Sequence, residues 1–170
     1  MMNKKTDLNM QFSDEEWEKL CDHCGICCLY KIEDYHTAEY LYTRIACPFL
    51  DIESGNCKSY LERFQKMPTC AKISADTLEI SYIWMPRHCA YRCLYEKRPL
   101  PQWHPLFDPE DKLANAQLLS KITALVIPEN HIDICSKEQL LSLRESAIQM
   151  NTRKKMEKQL IDHVIRDLII

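Results

Sequence analysis

The chain has 170 residues, enough for one ordinary domain, and its net charge of −3 gives no overall basic field for nucleic acid or anionic membranes. Its only glycines are Gly25 and Gly55, which excludes a Walker loop and a dinucleotide fingerprint, because both need several glycines at fixed offsets. No stretch approaches the ~20 apolar residues of a membrane span. The polar N-terminus has no signal-peptide core, so the predicted compartment is the cytosol.

Ten cysteines are the main deviation in composition. In a reducing cytosol, clustered cysteines indicate a metal or redox site, because structural disulfides are disfavoured there. Four of them fall within eight residues, in Cys21-Asp-His-Cys24-Gly-Ile-Cys27-Cys28. This spacing places all four thiols on one face of a helix, and Gly25 equally permits an irregular loop in which they converge. Thiolates are soft ligands, so the cluster predicts zinc, Cu(I) or an iron–sulfur centre, although the Met-rich spacing typical of a Cu(I) buffer is missing.

The first half of the chain predicts short elements between the cysteines. Ser13-Asp-Glu-Glu16 has the form of a capping box, so a short helix should follow, with Trp17 and Leu20 on its inner face. Residues 40–45 have the composition of a strand. The turn 53–56 predicts a hairpin that lets Cys47 and Cys57 meet, and residues 61–66 predict a helical stretch that ends before Pro68.

The second half predicts a mixture of strands and helices. Residues 81–84 and 122–127 resemble short strands, and residues 87–95 predict a helix with Cys89 and Cys93 on one face. Ser136-Lys-Glu-Gln139 is a second capping box. It opens a tail to residue 170 whose apolar residues repeat every three to four positions, as expected of an amphipathic helix.

These elements predict the α+β class. We expect a small, irregular, metal-stapled cysteine-cluster domain with short helices, a β-hairpin and a helical C-terminal tail. The predicted boundaries are a frayed N-terminus at 1–12, the metal-binding domain at 13–135 and a helical extension at 136–170.

The motifs resemble, in order, those of the bacterial YcgN family, within the YkgJ-type group of CxxCxxCC proteins described as zinc- or iron-chelating. The resemblance covers about residues 14–107 and includes Trp84-x-Pro86-x-x-Cys89 and Pro101-x-Trp103-His104-Pro105. It implies bound zinc or iron and no established reaction. The implied metal ligands are Cys21, Cys24, Cys27, Cys28, Cys47, Cys57, Cys70 and Cys89. Cys93 and Cys135 fall outside the pattern and are not assigned to the site.

Eight thiols suit two four-sulfur sites or one polynuclear site. Adjacent Cys27 and Cys28 are expected to serve two ions, or two irons of one cluster. The C-x2-C-x2-C spacing also opens the bacterial ferredoxin run, but here Cys28 follows without the spacer. His23 and His88 lie beside these cysteines and are candidates for ligation or for hydrogen bonding to sulfur.

Two classes of function remain open. One is a non-enzymatic metal-binding or adaptor protein, whose C-terminal helix packs on its own domain, on a protein partner or on a second copy. The other is an iron–sulfur protein that transfers electrons or assists another enzyme. No residue is assigned a catalytic role, and neither nucleic acid nor membrane is expected as a partner.

Overall fold

The computed structural model describes residues 8, 11–111, 113–130, 136–149 and 164. They fall into two compact units. The aromatic unit contains the described residues up to Asp22 and those from Lys72 to 130. The cysteine unit contains His23–Ala71 together with residues 136–149 and 164. Short helices and a three-stranded sheet confirm the predicted α+β class.

The aromatic unit begins with the helix Asp14–Glu18, which confirms the first capping box. The Ser13 hydroxyl accepts a hydrogen bond from the Glu16 N–H at 3.2 Å, and the Glu16 carboxylate accepts one from the Ser13 N–H at 2.9 Å. Trp17 and Leu20 are buried as predicted. The Trp17 indole N–H donates to the Ile73 carbonyl at 3.0 Å, and so ties this helix to a distant segment.

The later elements of the aromatic unit are helical. They are the α-helices Leu78–Ser81, Ala90–Tyr95 and Ala116–Leu125, and the 3-10 helices Tyr82–Trp84, Pro105–Phe107 and Pro128–Asn130. Except in Pro128–Asn130, their inward side chains form one apolar cluster with Trp17 and Leu20. No helix among the described residues is long and apolar enough to cross a membrane.

Three predictions in this unit were wrong in detail. Residues 122–127 are not a strand, because a helix begins at Ala116 and buries Leu118 and Ile122, four residues apart, on one face. Residues 81–84 are not a strand: Ser81 ends the helix Leu78–Ser81, which buries Leu78 and Ser81 at helical spacing, and Tyr82–Trp84 is a 3-10 helix. The predicted helix at 87–95 starts only at Ala90, so Cys89 stands at its N-cap.

The cysteine unit is built on strands β1 Leu29–Glu33, β2 Tyr40–Ala46 and β3 Ile148–Gln149, in the order β1-β2-β3. β1 and β2 are antiparallel, whereas β3 pairs with the end of β2 in parallel, Ile45 with Ile148. β2 confirms the strand predicted at 40–45. The predicted turn at 53–56 is also confirmed, since Leu50 and Cys57 pair across it in an antiparallel bridge.

The C-terminal part of the cysteine unit differs from a continuous helix. The helix Lys137–Glu145 follows the second capping box as predicted, with the Gln139 N–H donating to the Ser136 hydroxyl at 3.3 Å. It ends before β3, because Ile148 and Gln149 join the sheet. The rest of the predicted tail, apart from Val164, lies outside the described residues.

Candidate metal centre

The cysteine unit contains six of the eight predicted ligands, and five of their thiols interact with one another. Cys27 forms a hydrogen bond with the Cys28 thiol, and Cys47 also acts electrostatically on Cys28. Charges on Cys27 and Cys57 act on the Cys47 thiol. Charges on Cys27, Cys47 and Cys57 act on the Cys70 thiol. Each of the six cysteines is partly buried, so the group lies neither on the exposed surface nor in the fully buried core. The six are Cys24, Cys27, Cys28, Cys47, Cys57 and Cys70.

A tight turn at Gly25 shapes the loop that carries the first three cysteines of this set. Gly25 has a φ of 76°, a left-handed conformation that favours glycine, and it caps the 3-10 helix Ile26–Cys28. The Cys28 N–H closes the turn by donating to the Gly25 carbonyl at 3.0 Å. The sequence left two conformations open for these residues, a helix and an irregular loop. The structure has the irregular loop.

Two opposing influences act on the Cys47 thiol: burial raises its pKa, and neighbouring backbone N–H groups act to lower it. The backbone N–H groups of Phe49 and Leu50 act to lower the pKa of the Cys47 thiol, and the Leu50 N–H donates a hydrogen bond to the Cys47 carbonyl at 3.0 Å. The Cys47 N–H donates to the Cys28 carbonyl at 2.9 Å, and so joins this loop to the first one. Backbone donors aimed at a sulfur favour its charged form, the form that ligates metal.

Cys57 and Cys70 approach from two further loops. Cys57 follows the 53–56 turn, whose ends are held by the Asp51 N–H donating to the Asn56 carbonyl at 2.7 Å. Cys70 closes the turn after Pro68, where its N–H donates to the Met67 carbonyl at 2.9 Å. Four separate backbone segments thus supply thiols, an arrangement that a bound cation would cross-link.

Three thiols of the cysteine unit have raised pKa values. Burial raises the pKa of Cys47 and of Cys70 above the ordinary thiol value. The hydrogen bond with Cys27, followed by burial, raises the pKa of Cys28 further. A cation that binds these sulfurs must therefore displace protons.

Lys31 places a positive charge among the thiols. Its ammonium donates to the Cys27 and Leu29 carbonyls, both at 2.8 Å. Burial lowers the pKa of Lys31, while the charges of Cys27, Cys28 and Cys24 act to raise it. An ammonium here offsets the excess negative charge that several thiolates bring to a divalent ion. Sequence reasoning missed this residue; the available signal was a lysine four positions after Cys27, between Tyr30 and Ile32.

Cys21, Cys89 and Cys93 belong to the aromatic unit. Cys21 and Cys89 are partly buried beside its apolar cluster, and the Cys89 sulfur lies 4.0 Å from the Met85 sulfur. Cys93 is fully buried, and burial raises the pKa of its thiol to about 11. The Cys93 thiol faces the Arg87 carbonyl at 3.4 Å. Cys135 lies outside the described residues.

The histidines of the aromatic unit are buried and neutral. His88 is 0% exposed, with its Nε2 3.6 Å from an Asp22 carboxylate oxygen, and burial lowers its pKa to about 4. His104 accepts from the Leu106 N–H through Nδ1 at 3.2 Å, and its Nε2 lies 3.2 Å from the Leu20 carbonyl. His104 therefore fixes the backbone just before Cys21. His23, the other candidate ligand, is exposed.

Comparison with known proteins places the cysteine motifs in a described domain. The family model for CxxCxxCC, described as a "Putative zinc- or iron-chelating domain", matches residues 20–90. A UPF0260 protein of Klebsiella pneumoniae is 38% identical over 135 residues, which are 79% of this chain and 89% of that protein.

Two further relatives match a shorter segment more closely. A UPF0260 protein of Shewanella pealeana is 53% identical over 96 residues, 56% of this chain and 65% of its own length. One of Marinobacter nauticus is 50% identical over 91 residues, 54% of this chain and 61% of its own length. This chain thus spans less than two thirds of these two relatives. No solved structure matches the chain.

Proposed function

Since the chain belongs to the UPF0260 family, we propose that it binds zinc or iron through the thiolates of the cysteine unit. The domain matched at residues 20–90 is described as zinc- or iron-chelating and contains all six of these cysteines. In this proposal the ion cross-links loops that are far apart in the sequence, and the protein is a metal-binding or adaptor protein with no reaction of its own. The finer assignment to the YcgN family is part of the same proposal.

The observation that carries the proposal is the environment of Cys47. The backbone N–H groups of Phe49 and Leu50 favour its thiolate, and charges on Cys27 and Cys57 act on the same sulfur. Donors of this kind hold a ligand in its binding orientation before metal arrives. Partly buried thiolates that repel one another favour a shared cation, which removes the repulsion.

Six thiols exceed the four that close one tetrahedral zinc site. We therefore propose two ions or one polynuclear centre, with the adjacent Cys27 and Cys28 serving different metal atoms. The set of eight, which adds Cys21 and Cys89, stays a prediction. The variants Cys21→Ser and Cys89→Ser test it, because each should lower the metal content if its thiol is a ligand.

Anaerobic purification with reductant, followed by metal analysis and a visible absorption spectrum, tests the proposal. We expect zinc or iron in stoichiometric amount, with a colourless protein for zinc and broad visible absorption for an iron–sulfur centre. An iron–sulfur spectrum would favour the electron-transfer alternative. The variant Cys47→Ser should lose metal, whereas Cys93→Ser, a thiol buried in the aromatic unit, should retain it.

The proposal fails if the wild-type protein contains no metal and takes up neither Zn²⁺ nor Fe²⁺ with sulfide. A Cys93→Ser protein that loses as much metal as Cys47→Ser would overturn the choice of ligands.

A further inference from the structure

We infer that the segment 136–149, which lies outside the residues matched by the chelating-domain family model, positions the metal-binding loops through Arg144 and Gln149. This inference rests on the proposed metal binding and adds two positioning residues to it. Both act on backbone carbonyl groups of the loops that carry the thiols.

Arg144 joins the loop of Cys24 to the loop of Cys57. Its side chain is buried at 8% exposure, at the end of the helix Lys137–Glu145. Nη1 donates to the His23 carbonyl at 3.0 Å, and Nη2 donates to the Glu53 carbonyl at 2.8 Å. The planar guanidinium presents donors in a fixed fork, so it fixes the separation of the two carbonyl groups. His23 immediately precedes Cys24, and Glu53 lies in the turn that leads to Cys57.

The two glycines of the chain leave the space that this guanidinium occupies. Both have a φ of +76°. A Cβ on Gly55 would lie 2.4 Å from Arg144 Nη1 and 1.8 Å from the His23 carbonyl oxygen. A Cβ on Gly25 would lie 3.2 Å from Arg144 Cδ. The two loops thus pack around Arg144 with no room for a side chain at Gly55 and with a tight fit at Gly25.

Gln149 holds the Cys47 loop in the same manner. Its side-chain amide donates to the Leu50 carbonyl at 2.6 Å, and it lies 3.3 Å from the Cys47 carbonyl and 3.4 Å from the Pro48 carbonyl. The Pro48 carbonyl and the Phe49 N–H belong to one planar trans peptide and point in opposite directions. A donor on that carbonyl therefore fixes the plane of this peptide, and with it the direction of the Phe49 N–H, which acts to lower the pKa of the Cys47 thiol.

Loss of an outer partner that orients a ligand weakens metal binding by about 10- to 100-fold. We expect Arg144→Met to fall in this range. Arg144→Lys should bind metal with intermediate affinity, since one ammonium replaces the charge but not the fork. Gln149→Met should also weaken metal binding. Because Gln149 is exposed, this substitution leaves the packing of the buried core unchanged.

The experiment measures affinity by competition for Zn²⁺ between the full chain and a chromophoric chelator, and records the absorption spectrum of the Co²⁺-substituted protein. Arg44→Met, exposed on β2, and Gln65→Met, exposed in the helix Arg63–Lys66, are the matched controls and should bind as the wild type does. Cys47→Ser is included as a variant of a proposed ligand. We expect the Co²⁺ absorption bands of Arg144→Met and Gln149→Met to shift, because the thiolates are held in an altered geometry.

The outcomes separate the two proposals. If Arg144→Lys, Arg144→Met and Gln149→Met bind Zn²⁺ as tightly as the wild type while Cys47→Ser does not, the positioning role is wrong and the proposed function stands. A lowered melting temperature with unchanged Zn²⁺ affinity and Co²⁺ spectrum would also overturn the inference. It would show that these residues contribute to the stability of the fold and not to the geometry of the metal ligands. A wild-type chain that binds neither Zn²⁺ nor Co²⁺ would refute both proposals.

Discussion

The aromatic unit and the cysteine unit are stabilised by different kinds of side chain. The aromatic unit buries a large apolar cluster with close ring contacts, among them Trp17–Tyr91 at 5.0 Å and Tyr82–Tyr95 at 4.3 Å between centroids. The cysteine unit has a small sheet, whose third strand contains only two residues, and it buries Thr43 and Arg144 among its apolar side chains. Small sheets are marginally stable without further support.

This difference predicts that each unit is destabilised selectively by a different change of conditions. Apolar burial contributes roughly 25 cal/mol per Å² in the absence of any ligand, so the aromatic unit is independent of metal in this respect. The cysteine unit instead has partly buried thiols that repel one another once ionised. Metal should therefore matter most to the cysteine unit, and acid should matter to the aromatic unit, where histidines are buried uncharged.

The largest expected effect is that of metal removal. Structural zinc contributes roughly 10–16 kcal/mol of apparent binding free energy in small domains. A strong chelator with reductant should therefore remove amide hydrogen-exchange protection from His23–Ala71 while the apolar cluster around Trp17 stays protected. Mass spectrometry of peptides after exchange measures this. Equal loss of protection in both units, or no loss in a protein proven free of metal, would contradict the claim that metal stabilises mainly the cysteine unit.

The next effect is that of Gly55→Ala. The new methyl group would meet the His23 carbonyl oxygen at 1.8 Å, and the φ of +76° adds a cost of about 1–2 kcal/mol for a residue with a Cβ. We expect weaker Zn²⁺ binding in chelator competition, because the Cys24 and Cys57 loops are forced apart. Ser54→Ala, exposed in the same turn, is the matched control. Wild-type affinity in Gly55→Ala would show that these loops do not need their close approach.

Local signals in the sequence predicted a large part of the fold. The capping boxes at Ser13 and Ser136 were correct because each depends on residues three positions apart. The strand predicted at 122–127 failed because the β-branched composition of that run was overridden by burial of Leu118 and Ile122 on a helical face. A preference of this kind is weak compared with tertiary packing.

The centre was predicted less completely than the fold. Cysteine spacing indicated a soft-metal site, but the grouping of six thiols in one unit depends on turns that spacing does not specify. Arg144 and Gln149 were invisible to sequence reasoning, because the carbonyl groups they bind are separated from them by about a hundred positions. Such contacts follow from the tertiary fold and leave no local pattern.

An acid effect on the aromatic unit is expected next in size. Burial holds the pKa of His88 at about 4, against an ordinary value of 6.5. The unfolded chain thus binds the proton first, so the stability due to neutral His88 is complete above pH 6.5 and is lost as the pH falls toward 4, by about 3 kcal/mol.

Urea denaturation at pH 6.5 and at pH 4, followed by tryptophan fluorescence, measures this loss. The three tryptophans, Trp17, Trp84 and Trp103, all lie in the aromatic unit, so the signal reports on that unit. His88→Gln should lose less stability between the two pH values than the wild type, and the exposed His36→Gln should behave as the wild type does. The same acid sensitivity in His88→Gln would refute the assignment.

The smallest expected effect is that of Lys31→Met. Removal of the ammonium beside Cys27 leaves thiolate charge uncompensated, and we expect about 10-fold weaker Zn²⁺ binding, within the range for outer partners of a metal site. Lys31→Arg should retain most of the affinity, and the exposed Lys58→Met should retain all of it. Equal weakening in Lys31→Met and Lys58→Met would show that total charge, and not the placement of Lys31, matters.

X-ray absorption at the metal edge of the protein purified without oxygen tests the central claim most directly, because it identifies the atoms bound to the metal. The cysteine unit should supply sulfur ligands, at about 2.3 Å for zinc. A first shell of nitrogen or oxygen at about 2.0–2.2 Å, with sulfur missing, would contradict a thiolate centre in this chain.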